Sequence, residues 1–373
     1  MATARKTEVI ATSIPVLPRT TKNSRSSGQV SPHTQIFIAG VLQFCLFLIP
    51  PNWPTMSVRG KTILQGASPL CTDRLAVVAR IRPLLDKELD KDTIVRAESG
   101  GDGKTMNIVR IPNPKNEAEE FSFSFNGVYD MDTTQEDLFT NEGTRIASAI
   151  IDCAERKIVA PHLKSLFQGL DVTIFAYGVT GTGKTHTMRG GLKLAERGVI
   201  PRLLSGIYRR GKKITKDSGG ETEVTVTLSY YEIYNDKVYD LFEPPDKRSL
   251  AGLPLREKDG KTVVVGLSER ACDDLKDFER LYIEANNNRS TAGTKLNAQS
   301  SRSHAILMVK VIQTNGDETL ISTASAIDLA GSEDNRRTEN NKERLVESAS
   351  INKSLFVLSS CIDAIGRGDK RIP

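Results

Sequence analysis

From Arg74 to Pro373, apolar and polar positions follow two different periods, which predicts strands interleaved with helices. The run 172–178 (VTIFAYG) is apolar throughout, as expected of a strand buried on both faces of a sheet. Spacings of three and four between apolar residues predict helices at 273–288 and 341–365, the second ending before Gly366. Alternating or β-rich runs predict further strands at 75–81, 121–129, 223–234, 304–313 and 319–328.

The order of these elements predicts the class of fold. The strands at 304–313 and 319–328 flank Asn315-Gly316, a dipeptide typical of hairpin turns. Strands that alternate with helices along a chain generally form one sheet with helices on its faces. The sequence therefore predicts an α/β domain of three layers over residues 74–373.

The first 72 residues have a different character and are predicted to lie outside this domain. Residues 1–35 are rich in Ser, Thr, Lys and Arg without periodicity, which predicts disorder. The apolar run 36–49 is closed by prolines and is short for a membrane span; a mitochondrial leader is a further alternative. We favour the hypothesis that translation starts at Met56 and that 1–55 is a mis-assigned extension. A peptide of the native protein that maps upstream of Met56 would contradict it.

Composition excludes several classes of protein. The 373 residues include five cysteines without paired close spacing, which excludes a disulfide scaffold and gives no zinc-ligand pattern. No run approaches the roughly 18 apolar residues of a membrane span. The net charge of +5 comes from residues 1–72, which hold seven basic residues and one acid. An anionic partner of the domain must therefore be held by a local patch rather than by overall charge.

The strongest chemical signal is a phosphate-binding loop. The sequence GVTGTGKT from Gly178 to Thr185 fits GxxxxGK[ST], directly after a predicted buried strand. Backbone N–H groups of such a loop cradle phosphates, the lysine (Lys184) neutralises β- and γ-phosphate charge, and the Thr185 hydroxyl ligates Mg²⁺. The expected loop contacts are Gly178, Val179, Thr180, Gly181, Thr182, Gly183, Lys184 and Thr185.

Two other polar loops have the residue types that complete such a site. DLAGSE (328–333) places Asp328 at a strand end, where it can hold the water shell of magnesium, and Gly331 where its N–H can sense a γ-phosphate. NAQSSRSH (297–304) supplies hydroxyls for the metal and for a water, and its Arg302 can pair with Glu333. Each loop alone is unremarkable, but together with the phosphate loop they predict a nucleotide site.

These loops, with ARIRP (79–83) and INKSL (351–355), resemble the motor domain of the kinesins over residues 74–373. The resemblance implies a three-layer P-loop NTPase fold whose central sheet is mixed and mainly parallel. It also implies MgATP as cofactor and substrate, microtubules as partner, no membrane, and a location on cytoplasmic and spindle microtubules, with the nucleus as a second location. By the same resemblance, Arg80, Pro83 and His186 stack against the adenine ring.

The resemblance further assigns roles at the γ-phosphate and on the microtubule. Ser301 corresponds to a Mg²⁺ ligand, Ser300 to a residue that helps to activate the attacking water, and Gly331 to the backbone sensor of the γ-phosphate. Arg302 and Glu333 correspond to a gate that closes around it. The expected microtubule contacts are Asn352, Lys353, Arg367, Lys370 and Arg371.

Within the kinesins, GSEDNRRT (331–338), GVIPR (198–202) and DFER (277–280) are most similar to the Kid-type chromokinesins. DNA binding in that group lies outside the motor and is not carried over. Kinesins continue past the point that corresponds to Pro373, so we expect an incomplete C-terminus. The stretch 133–173 is longer than in most kinesins, and the extra residues lie near 143–158. We interpret them as an unremoved intron, with a functional loop as the alternative.

Two alternatives from other classes stay open at this point. One is a non-motile fragment that binds nucleotide or tubulin without a power stroke. The other is a switch of the small-GTPase kind, which is poorly supported because no base-specifying NKxD run follows the core.

Overall fold

The computed structural model describes most of the predicted domain and one earlier strand. The described ranges are 42–49, 76–88, 95–99, 106–113, 116–125, 127–140, 163, 165–191, 193–258, 261–291, 301–332, 342–367, 369 and 371–373. The predictions for 1–35, for the surplus at 143–158, and for Ser300, Glu333 and Lys370 lie outside these ranges.

A central sheet of nine strands organises the described residues. Its order is β12-β8-β13-β14-β7-β1-β2-β6, and β9 pairs with β8 beside this path. The strands of the sheet are β1 (Leu42–Ile49), β2 (Ala76–Ile81), β6 (Gly127–Tyr129), β7 (Val172–Tyr177), β8 (Thr222–Tyr234), β9 (Lys237–Asp240), β12 (Arg270–Ala271), β13 (His304–Asn315) and β14 (Glu318–Asp328). Smaller sheets are formed by β3 (Arg96–Ser99), β4 (Met106–Asn113) and β5 (Asn116–Ser124), and by β10 (Leu255–Lys258) and β11 (Lys261–Val264).

The sheet is mixed, as the kinesin resemblance implies, but the expectation that it is mainly parallel is wrong for the described strands. Its parallel pairs are β14 with β7 and β2 with β6. The other pairings are antiparallel, because β13 and β14 form a long hairpin through Gly316 and Asp317 and β13 also pairs with β8 along its whole length. The nucleotide-loop strand β7 therefore lies between one parallel and one antiparallel neighbour.

Part of the apolar run 36–49 forms a strand of this sheet. β1 pairs antiparallel with both β2 and β7, with Leu42 opposite Ile81 and Phe47 opposite Phe175. The sequence predicts no particular element here, because a short apolar run has no period that distinguishes a strand from a helix. A chain that began at Met56 would lack β1 and leave β2 and β7 each with an unpaired edge. The start at Met56 stays a hypothesis.

Helices cover both faces of the sheet, which confirms the three-layer α/β class. β7 shows the division: Ile174 and Ala176 pack into the cluster shared with the helices of one face, whereas Phe175 packs with Ile351 and Leu355 of α5 on the other. None of the described helices is long and apolar enough to cross a membrane. The helices are α1 (Gln135–Thr140), α2 (Lys184–Met188), α3 (Val199–Asp217), α4 (Leu275–Thr291) and α5 (Lys342–Arg367).

The elements that sequence analysis missed have local reasons. Helix α3 buries Leu203, Leu204 and Ile207 on one face, but Pro201 in its first turn hides the start from a simple reading of the pattern. The predicted strand 121–129 is divided in two: its first half pairs with β4 and its last three residues pair with β2. These differences leave the position of the three polar loops unchanged.

Candidate nucleotide site

The glycine-rich loop has the backbone shape that the motif predicts. It runs from the end of β7 at Tyr177 to the start of α2 at Lys184. Gly181 and Gly183 have φ values of 85° and 92°, in the left-handed region that a side chain disfavours. At Gly181 a Cβ would meet no neighbouring atom, so its conformation rather than crowding requires glycine there. The predicted strand, loop and helix are confirmed.

Lys184 is held against this loop by its own backbone. The side chain is buried, and Nζ donates hydrogen bonds to the carbonyl oxygens of Gly178 at 2.9 Å and Val179 at 3.1 Å. A buried ammonium group needs such partners, because desolvation strongly disfavours an unpaired charge. The loop therefore carries a positive charge at the point where the motif places phosphates.

Thr185 and Asp328 come together although 143 residues separate them in sequence. The Thr185 hydroxyl donates to Oδ2 of Asp328 at 2.6 Å. Oδ1 of Asp328 is buried and has no hydrogen-bond partner among the described residues. Burial raises the pKa of Asp328, against the lowering effects of the Thr185 hydrogen bond and of the charges of Arg289 and Lys184. An unpaired carboxylate oxygen beside a hydroxyl is a donor set that fits Mg²⁺ and its waters.

Backbone hydrogen bonds join the DLAGSE loop to the other two. The Gly331 N–H donates to the carbonyl oxygen of Ser301 at 2.8 Å, and the Ser332 N–H donates to that of Gly178 at 3.1 Å. Ser301 and Arg302 lie within the described residues, whereas Ser300 and Glu333 do not, so the predicted pair of Arg302 with Glu333 stays a prediction. In this arrangement the N–H of Gly331 binds the neighbouring loop, and it must leave Ser301 before it can reach a phosphate.

Arg80 and His186, predicted from the resemblance to contact adenine, are joined by a residue that sequence analysis missed. Arg80 donates to Oε1 of Gln135 at 2.9 Å and to the Thr187 hydroxyl at 2.9 Å. Gln135 Nε2 in turn donates to the carbonyl oxygen of His186 at 2.6 Å and lies 3.1 Å from its Nδ1. Pro83 is exposed. Burial is the main cause that lowers the pKa of both Arg80 and His186.

A helix-start signal in the sequence could have identified Gln135. Thr134 and Asp137 form a reciprocal cap, in which the Asp137 N–H donates to the Thr134 hydroxyl oxygen at 3.1 Å and the Thr134 N–H donates to Oδ2 of Asp137 at 3.2 Å. This cap begins α1 at Gln135 and fixes its side chain between β2 and α2.

His304 lies at the centre of the described loops. It is 7% exposed, and Nδ1 accepts a hydrogen bond from the Ala330 N–H at 3.2 Å. Burial, and then the positive charges of Arg289 and Lys184, lower the pKa of His304 to about 4. The imidazole is therefore neutral in the folded protein at neutral pH.

This pKa predicts a loss of stability in acid. Between pH 6.5 and about 4 the unfolded chain binds a proton at His304 that the folded chain does not, so the free energy of unfolding falls as the pH falls. The contribution over that window is about 3 kcal/mol. Denaturant unfolding at pH 7, 5 and 4 is the measurement, with His304→Asn as a variant that does not titrate. The stability of wild type should fall more steeply than that of the variant, and parallel curves would contradict the assignment.

Comparison with known families decides the identity of this fold. The sequence profile of the kinesin motor domain matches residues 80–373, which covers the three loops and helix α5. The chain belongs to the kinesin motor domain family.

Individual kinesins agree with this result. The chain is 39% identical over 307 residues to the kinesin-like protein KIF22 of Xenopus tropicalis, covering 80% of this chain and 44% of that one. It is 38% identical to KIF22 of Danio rerio over 301 residues (80% and 43%), and 34% identical to the chromosome-associated kinesin KIF4B of Homo sapiens over 304 residues (79% and 22%). The similarity to KIF22 confirms the resemblance to the Kid-type chromokinesins. The chain spans less than half the length of these relatives.

Solved kinesin structures share the fold. The structure of a fast kinesin superposes with a TM-score of 0.64 at 29% identity, covering 79% of this chain and 77% of that one. A second structure, from a study of mutants in the activation of the kinesin motor ATPase, gives a TM-score of 0.62 at 27% identity, covering 79% and 81%. The kinesin fold expected from the sequence is confirmed.

The residues expected on the microtubule side of this kinesin domain lie mostly on the exposed face of α5. Asn352 and Lys353 are exposed, and Lys353 Nζ lies 3.6 Å from Oδ2 of Asp236 at the turn between β8 and β9. Arg367 donates to Oδ2 of Asp369 at 2.7 Å, and Arg371 is exposed. The basic groups are therefore available at the surface, and their role stays a prediction.

Proposed function

We propose that this chain binds and hydrolyses MgATP and couples hydrolysis to microtubule binding and movement. The observation that carries the proposal is the set of hydrogen bonds that joins the three loops: Thr185 to Asp328, Gly331 to Ser301, and Ser332 to Gly178. The glycine-rich loop is thereby hydrogen-bonded directly to the DLAGSE loop and, through the DLAGSE loop, to the NAQSSRSH loop.

The residues that would hold Mg²⁺ are Thr185 directly, Ser301 directly and Asp328 through water. When bound, the ion supplies charge neutralisation and orients the β- and γ-phosphate oxygens. Lys184 neutralises phosphate charge from within the loop. In this proposal no covalent intermediate forms on the protein, and water attacks the γ-phosphorus in line with the leaving oxygen, with Ser300 helping to activate it.

The adenine side of the site supports ATP as the substrate with modest selectivity. Arg80, Pro83 and His186 offer flat or cationic surfaces to the face of a base. The side-chain amide of Gln135 is engaged at both atoms: its oxygen accepts from Arg80, and its nitrogen donates to the carbonyl oxygen of His186. Gln135 therefore fixes the positions of those two residues. We therefore expect GTP to be accepted more weakly, rather than excluded.

Helix α5 is the proposed output. Its apolar residues Ile351 and Leu355 pack with Leu329 and Ala330 of the DLAGSE loop, while Asn352 and Lys353 face solvent. A shift of that loop on phosphate binding or release would move the helix on the microtubule. One relative, KIF4B, is named as chromosome-associated, and with this support we place the action of the chain on the spindle.

Turnover of ATP by the full chain, measured against increasing microtubule concentration, tests the proposal. We expect a saturable increase, and Lys353→Glu should raise the microtubule concentration that gives half of it, because it reverses a surface charge. Lys276→Glu, on α4 of the opposite face, is the matched control and should match wild type. A stable chain that binds nucleotide without stimulation would favour the alternative, a non-motile nucleotide- or tubulin-binding module.

A further inference from the structure

His304 connects the DLAGSE loop to helix α5 by hydrogen bonds that the proposed function has not used. Its Nδ1 accepts from the backbone N–H of Ala330, the residue before Gly331. On the other side of the ring, Nε2 lies 2.8 Å from the Ser354 hydroxyl oxygen. Ser354 is on α5, between Lys353 and Leu355. A single side chain therefore contacts the nucleotide-sensing loop and the output helix.

The direction of these hydrogen bonds is fixed by chemistry. A backbone N–H can only donate, so Nδ1 must be the acceptor and the proton of the neutral ring must be on Nε2. Nε2 then donates to Ser354 Oγ, whose own proton is donated to the carbonyl oxygen of Ile351 at 2.7 Å. The result is a directed chain from Ala330 through His304 and Ser354 to the backbone of α5.

The backbone that carries His304 is held firmly in place. Ser303, which precedes His304, is fully buried, and Arg289 of α4 donates to both its hydroxyl and its carbonyl oxygen at 3.0 Å. The ring is itself 7% exposed, so it has little freedom to follow a moving partner. A displacement of either Ala330 or Ser354 therefore stretches the hydrogen bonds of His304, because the ring cannot rotate to follow it.

Directed bonds transmit position in a way that the neighbouring contacts cannot. The loop and α5 also share an apolar cluster that includes Leu329, Ala330, Ile351 and Leu355. Apolar contact is non-directional, and its contribution follows the area buried rather than the alignment of particular atoms. A hydrogen bond weakens steeply with distance and angle, so it favours one register of the helix on the loop.

We propose that His304 is a positioning residue that sets the register of helix α5 against residues 328–332 through Ser354, and so transmits the state of the nucleotide site to the helix. The inference rests on the proposed function for its link to the microtubule.

Three variants separate this role from simple packing. Ser354→Ala removes the acceptor on α5, and Ser354→Thr keeps the hydroxyl as the conservative rescue. His304→Asn keeps an acceptor near the position of Nδ1 for Ala330 but does not reach Ser354. If the bond to Ser354 is what transmits position, Ser354→Ala and His304→Asn should have the same effect, and the double variant should be no worse than either.

The experiment compares the full chain in MgADP with the full chain in a non-hydrolysable MgATP analogue. The readouts are the ratio of microtubule affinities in the two states and the hydrogen exchange of α5 amides without microtubules. Wild type and Ser354→Thr should show a nucleotide-dependent ratio, and Ser354→Ala and His304→Asn should reduce it roughly fivefold, as expected for one neutral hydrogen bond. Nucleotide affinity should be unchanged in Ser354→Ala.

The outcomes distinguish this inference from the proposed function. If wild type has no nucleotide-dependent microtubule affinity, the proposed function fails, and the exchange of α5 amides still decides the role of His304. If wild type is coupled and Ser354→Ala is coupled equally, or if the effects of Ser354→Ala and His304→Asn add, the inference is overturned and the proposed function stands.

Discussion

Replacement of Lys184 by alanine is expected to reduce ATP turnover by on the order of 10²–10³-fold, the effect typical of losing one preorganised charge or donor at a reacting centre. Nζ of Lys184 is held inside the loop by the carbonyl oxygens of Gly178 and Val179, so no rearrangement of the chain is needed to place it near a phosphate. Nucleotide binding should weaken as well, because the ammonium also neutralises charge in the ground state. Steady-state turnover and nucleotide titration are the measurements.

The matched control for this variant is Lys193→Ala. Lys193 follows the same loop and helix in sequence, but its side chain is 84% exposed and pairs only with Glu196 at 3.6 Å among the contacts described. Its removal should leave turnover and stability close to wild type. The free energy of unfolding of Lys184→Ala must be measured beside its turnover, since the side chain is buried. Unchanged turnover in a folded Lys184→Ala protein would contradict the assignment of the site.

The second large effect is expected from Glu232→Gln. Glu232 is 1% exposed and lies between two guanidinium groups, with its oxygens 3.6 Å from Arg248 NH1 and 3.6 Å from Arg289 Nε. Neutralising it leaves two largely buried positive charges without this counter-ion, and breaking a buried pair in this way costs about 3–5 kcal/mol. The free energy of unfolding should fall by about that amount in denaturant titrations.

Glu257→Gln is the control for Glu232→Gln. Glu257 is exposed on β10, so the same chemical change there should alter the free energy of unfolding by less than about 0.5 kcal/mol. Because Arg289 also holds Ser303, the Glu232 variant should in addition weaken the position of the loop that carries Ser301 and Arg302. Equal stability of the two variants would show that the charges of Arg248 and Arg289 are satisfied without Glu232.

The parts of the fold that depend on local pattern could be predicted from the sequence. The apolar run of β7, the β13–β14 hairpin around Gly316 and helix α5 follow from periods that do not depend on distant partners. The direction in which strands pair is a long-range property, so the balance of parallel and antiparallel pairs was misjudged. The pairing of β1 with β2 and β7 is equally non-local, and an apolar run does not encode its partners.

The residues of the site also differ in whether a local pattern or a distant partner determines their role. The glycine-rich loop, Lys184 and Thr185 could be named because the motif fixes both residue type and spacing, and Asp328 because it ends a predicted strand. The cap at Thr134 could have placed Gln135 at a helix start, but its contacts could not be predicted, because Arg80 and His186 are 55 and 51 residues away. The hydrogen bond from the Ala330 N–H to His304 could not be predicted either, because every residue except proline has a backbone N–H and residue type does not indicate its partner.

A crystal structure of the chain with Mg²⁺ and a non-hydrolysable ATP analogue tests the central claim most directly. We expect triphosphate oxygens within hydrogen-bond distance of the loop amides from Thr180 to Thr185, with the metal on the Thr185 hydroxyl and Ser301 and Asp328 around it. Nucleotide bound elsewhere, or a metal remote from Ser301 and Asp328, would contradict it.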